Sequence, residues 1–142
     1  MGDALGTSAA GMMIEVGLVS TDPEPLVAFY CGALGFTPTV SFTAAAGTVR
    51  KFRAGQAGLK IFVPLGEAQP NPVEPLGQRE GVAYFALGVD DAEAAFRRVV
   101  EAGATAVLEP VSHRPGAVAA MVRDPGGNLI ELLEDRGPAG PG

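Results

Sequence analysis

Over residues 13–19 apolar and polar positions alternate with period two. Ile14, Val16 and Leu18 fall on one side and Glu15, Gly17 and Val19 on the other, which predicts a strand. Thr21-Asp22-Pro23-Glu24 then supplies a cap residue, an early proline and a glutamate three positions after the threonine, the chemistry of a helix start. The period lengthens to that of a helix through Leu26, Val27, Phe29, Tyr30 and Leu34, and Gly35 is placed to end it. Short strand-like stretches follow at 36–43, 48–54 and 59–64, separated by Gly- and Ala-rich turns. From 65 to 80, Pro70, Pro72, Pro75 and two glycines leave no room for a regular element.

The same order then returns. A strand at 81–89 leads to Asp90-Asp91-Ala92-Glu93, a second capping pattern, before an apolar helical stretch that Gly103 closes; strands are predicted at 104–110, 116–123 and 129–134. Glu15-Val16-Gly17-Leu18 aligns with Tyr84-Phe85-Ala86-Leu87 at an offset of 69 residues, and Asp22 and Glu24 meet Asp91 and Glu93 at that same offset. Allowing two more residues in a turn of the second copy brings Lys60 onto Glu131. The architecture predicted is α+β, with tandem βαβββ modules at 13–64 and 81–135 joined by a Pro-rich linker at 65–80. Each sheet alone is too small to be stable, so the modules are expected to form one domain, a concave eight-stranded half-open barrel. Residues 1–12 and 136–142 read as loose ends.

Composition narrows the class of partner. Hydrophobic residues make up 47% and charged residues 18%, which is a folding composition rather than a disordered one. A formal charge of -6, with only Arg50-Lys51 and Arg53 clustered, argues against nucleic acid and favours a small organic ligand that is neutral or cationic. The single cysteine, Cys31, excludes an internal disulfide and a cysteine zinc site, as expected of a cytoplasmic protein. No apolar run reaches membrane-spanning length, and the first eleven residues lack the positive start of a secretory signal.

Candidate chemistry gathers around Asp124-Pro125-Gly126-Gly127-Asn128, a dense turn that leads into a strand where Glu131 stands between Leu129 and Leu133. A carboxylate there needs a cation, a donor or a wet cavity. Alternation sets Gly17 beside Glu15, and Ala86 and Gly88 beside Tyr84, so small side chains leave space next to polar ones. Phe62 shares the face of Lys60 and is a candidate aromatic wall. His113, the one histidine, is read in a loop at 112–116 that could overhang a cavity mouth. Arg50 points one way from its strand and Lys51 and Arg53 the other; most of that charge reads as a solvated sheet edge, while one arginine could reach an anionic ligand.

The two copies, Phe29-Tyr30 followed by Leu34-Gly35-Phe36, and the Asp-Pro-Gly-Gly-Asn turn before Ile130-Glu131 together resemble the vicinal oxygen chelate superfamily of glyoxalases, extradiol dioxygenases and bleomycin resistance proteins. The resemblance implies metal ligands on the first and fourth strands of each module, which here are Glu15, Lys60, Tyr84 and Glu131. Of the family's His, Gln and Glu set only Glu131 is retained as it stands. A protonated Lys60 would repel a cation, and a neutral Tyr84 is a poor ligand. No cofactor is therefore favoured, although the two carboxylates leave room for weak binding of a hard divalent ion. By resemblance the chain is a homodimeric small-molecule-binding protein without the usual metal site. The alternative is a lyase or isomerase of glyoxalase or epimerase type, in which Glu15 or Glu131 is a metal ligand or general base.

Overall fold

A computed structural model describes residues 11–137; the loose ends read at 1–12 and 136–142 lie mostly outside that span. Strand β1 (Glu15–Val19) is followed by helix α1 (Glu24–Val27), which continues as a π-helical stretch over Ala28–Ala33. Three strands complete the first module, β2 (Thr37–Ala44), β3 (Gly47–Ala54) and β4 (Ala57–Pro64). The second repeats the order with β5 (Phe85–Gly88), α2 (Ala92–Glu101), β6 (Thr105–Arg114), β7 (Ala117–Arg123) and β8 (Leu129–Asp135).

Strand order is β1-β4-β3-β2 in one four-stranded sheet and β5-β8-β7-β6 in the other, the same topology twice. In each the first strand runs parallel to the last, and the remaining pairs are antiparallel. This is an α+β arrangement of two mixed sheets. They share no hydrogen-bonded strand neighbours, so they do not close into a barrel.

Alternation decides which face is buried. Leu18, Phe52, Leu59 and Ile61 of the first sheet and Ala120, Val122, Ile130 and Leu132 of the second join Leu26, Phe29, Tyr30 and Val99 from the helices in one hydrophobic cluster. Tyr30 stands edge-on to Phe29 and Phe36, with ring centroids 5.1 and 5.7 Å away. Each of the larger aliphatic and phenylalanine side chains contributes roughly 1.5–3 kcal/mol through removal from water, so two sheets that are marginal alone support each other over a common core.

The Asp124 turn joins the modules. Asp124 is buried and its carboxylate accepts from the Tyr30 hydroxyl at 2.6 Å, from the backbone N–H groups of Gly126 and Asn128 at 2.8 and 3.0 Å, and from Asn128 Nδ2. The linker is tied to the same turn, since Asn71 Nδ2 donates to the Gly126 carbonyl at 2.9 Å and Arg123 donates to the carbonyls of Gly127 and Glu74. Burial, reinforced by the Asp124 charge, pushes the Tyr30 hydroxyl far above the ordinary phenol range, so it stays a donor.

Several local readings are corrected. Thr21 does not cap α1: Pro23 is the cap residue, with no side-chain bond, and the Ser20 hydroxyl takes up the turn by bonding the Asp22 backbone. Strand β5 starts at Phe85 rather than at 81. Its neighbour β8 begins at Leu129, and with Phe85 paired to Ile130 the residues before Tyr84 have no ladder to join. Strand β6 runs on to Arg114 through three register shifts, so His113 stands on an exposed edge strand and not in a loop. Strand β3 is interior to its sheet, so Arg50, Lys51 and Arg53 are not edge charges. No helix among the described residues is long and apolar enough to cross a membrane.

Candidate functional site

The face of the first sheet turned away from the core is built in three rows, and strand register fixes each. In the first row Glu15 lies opposite Gly58, and Gly58 opposite Arg53. In the second, Gly17 faces Lys60 and Lys60 faces Lys51. The third is apolar: Val19 faces Phe62, Phe62 faces Val49, and Val49 faces Phe42. Successive rows are about 7 Å apart, two residues along a strand. Val19 and Phe42 are 62% and 48% exposed, so the apolar row is open to solvent.

Glu15 lies across this face. Its carboxylate meets Lys60 Nζ at 3.3 Å, Lys51 Nζ at 3.5 Å and an Arg53 guanidinium nitrogen at 3.6 Å, three cations on one anion. Gly58 makes the crossing possible, because a Cβ there would come within 2.8 Å of Glu15 Cγ and 3.0 Å of Oε2. The Lys60 ammonium, helped by Lys51, holds the Glu15 carboxyl below its usual range. Arg50 leaves by the opposite face, pairs with Glu24 at 3.2 Å and stacks over Phe52.

The other predicted residues lie elsewhere. Glu131 is half-buried on the face of the second sheet turned away from the core, with Ala86 and Met121 opposite it. It has no hydrogen-bond or ion-pair partner among the described residues. Lys60 is paired with Glu15 and not with Glu131. Ala86 and Gly88 are exposed on that second face. Tyr84 and Gly17 instead come together in a cleft of about 350 Å³, formed where β1 and the start of β5 meet the linker at Asn71, Leu76 and Arg79, with Arg123 behind. Glu15, Lys60, Phe62 and Glu131 are not among its lining. Burial pushes the Cys31 thiol up from its ordinary value, which disfavours the thiolate.

These donors do not fit a metal. Of the four positions, Glu15 is engaged by three cations, Lys60 is one of them, Tyr84 brings only a phenol oxygen, and Glu131 has no ion-pair partner among the described residues. Among the described residues no three His, Cys, Asp or Glu side chains converge.

Lys51 and Arg53 are the residues that the sequence reading missed as partners of Glu15. The signal was the two-residue turn at Gly55 and Gln56, because a hairpin closed there pairs Ala54 with Ala57 and so sets Lys51 against Lys60.

Comparison with known proteins completes the description. The family model of the Glyoxalase/Bleomycin resistance protein/Dioxygenase superfamily matches residues 13–132. Among solved structures, TioX from Micromonospora sp. ML1 is 26% identical with a TM-score of 0.63, over 87% of this chain and 98% of that one. TnmS3, an antibiotic binding protein from Streptomyces sp. CB03234, is 23% identical with a TM-score of 0.63, over 90% and 99%. A glyoxalase/bleomycin resistance protein from the same strain is 24% identical with a TM-score of 0.61, over 85% and 98%. A search of curated proteins finds no match.

Proposed function

The chain belongs to the glyoxalase, bleomycin resistance protein and dioxygenase superfamily, and from that premise we propose that it is a metal-independent small-molecule-binding protein that works as a homodimer. The observation that carries this reading is the Lys60–Glu15 pair, 3.3 Å apart, at two of the four positions where metal-bearing members hold ligands. An ammonium cannot ligate while protonated, and its fixed positive charge takes the electrostatic place of a cation. The likeness to an antibiotic binding protein supports a ligand of comparable kind, an organic small molecule.

The dimer is supported by the two open faces. The first carries Lys51, Arg53 and Lys60 against the single Glu15, and the second carries Glu131, unpaired among the described residues. Two copies related by a two-fold axis can set the first face of each opposite the second face of the other, across a space that a ligand fills. A ligand cavity then lies between chains.

Glu131 also favours a second reading. A half-buried carboxylate without a partner among the described residues is a candidate general base, as a proton-transfer enzyme of the superfamily would need. Calorimetry and product analysis on a panel of aromatic antibiotics, glutathione hemithioacetals and acyl-CoA epimers separate the two. Binding with unchanged ligand supports the binding protein. Turnover that falls at least about a hundredfold in Glu131→Gln, with binding retained, would replace it by the enzyme.

A further inference from the structure

The first open face has an unusual charge balance. Lys51 and Lys60 stand directly opposite each other on neighbouring strands, an arrangement that is destabilising when uncompensated, and Arg53 adds a third cation two residues away. One carboxylate serves all three, leaving a local charge of +2 on a chain whose formal charge is -6. The three contacts of Glu15 lie between 3.3 and 3.6 Å, longer than the shortest charged hydrogen bonds, so its oxygens fill the space of an anion without saturating the donors.

Beside these cations runs the apolar row of Val19, Phe62, Val49 and Phe42. A planar apolar body laid on that row would place a substituent one row away, about 7 Å, against Lys60 and Lys51. We infer that this face is an anion-recognition subsite: the ligand is an aromatic acid, its ring system on Phe62 and its carboxylate, phenolate or sulfonate between Lys51, Lys60 and Arg53. Glu15 is the internal counter-ion that the ligand's acid displaces. This rests on the small-molecule-binding reading and names the chemistry of its ligand as anionic, where the acidic composition alone had favoured a neutral or cationic one.

Two fluorescent probes of the same shape test it, 8-anilinonaphthalene-1-sulfonate and the uncharged N-phenyl-1-naphthylamine, titrated into the full-length protein. The sulfonate is expected to bind about tenfold tighter, and only its binding should weaken as salt rises. Lys51→Gln and Lys60→Gln each should weaken the sulfonate roughly threefold to tenfold without changing the neutral probe, while Phe62→Ala weakens both. Glu15→Gln should tighten the sulfonate by a similar factor, since it frees three cations; a merely structural cluster would not gain affinity on losing its centre. Equal binding of both probes, unaffected by either lysine variant but dependent on Phe62, overturns the anion inference and leaves the binding reading standing. Binding of neither probe, in protein shown folded by circular dichroism, overturns both.

Discussion

Single residues hold this molecule together at few points, and two of them can be tested alone. Tyr30→Phe keeps the buried ring and removes the hydroxyl that reaches Asp124 at 2.6 Å. Because Asp124 retains its turn donors, the expected loss is about 1.5–3 kcal/mol in urea unfolding. A change within error would mean that the modules do not depend on this bond. Glu15 offers a pH readout. Its carboxyl lies below the usual range because Lys60 and Lys51 face it, so its contribution to folding is present above that range and fades as pH falls through its own titration. Protonation also uncovers three cations. The sulfonate probe should therefore bind more tightly on acidification below the ordinary carboxylate range in the native protein, and show no such step in Glu15→Gln. Gly58→Ala, whose methyl group would collide with Glu15, should reproduce part of the Glu15→Gln phenotype at neutral pH.

At the level of elements, the two helices differ in how they begin. Asp91 caps α2, its side chain accepting from the Ala94 N–H at 3.0 Å, and the buried Glu134 takes the Ala92 N–H at 3.0 Å, so two orphan donors of the first turn are satisfied. Asp91→Ala should cost about 1 kcal/mol in denaturant unfolding. Thr21→Ala should cost nearly nothing by the same measurement, since α1 has no side-chain cap. The first helix instead relies on packing: Leu26, Phe29 and Tyr30 are buried, and two residues after the π-helical stretch the chain turns at Gly35 with φ of 76°, a conformation that glycine accepts without strain.

For the whole molecule the prediction is a dimer without a resident transition metal. Sedimentation at micromolar concentration should give twice the chain mass of 14.4 kDa. A monomer throughout would remove the two-chain cavity. Elemental analysis of protein purified without chelator should find less than a stoichiometric amount of zinc, nickel or iron. A full equivalent that is lost in Glu131→Gln would reverse the ordering of the two functional readings.

What the sequence determined by itself was local and periodic. The two copies, the α+β class, the buried faces of Leu18, Ile130 and Leu132, and the Asp91 cap all follow from side chains acting on their own backbone or on an alternation of period two, and these signals need no knowledge of the rest of the chain. Tertiary structure decided everything that depends on which strands become neighbours. Tyr30 and Asp124 are 94 positions apart, and nothing in either segment announces their bond. The partners of Glu15 are set by the register of β1, β3 and β4, and the limits of β5 by where β8 begins. His113 changed from a loop to an edge strand because β7 offers it a ladder. A site made of one side chain from each of several strands is a property of their pairing, and pairing is settled by the total apolar area buried in a shared core, a sum over the chain that no short stretch contains.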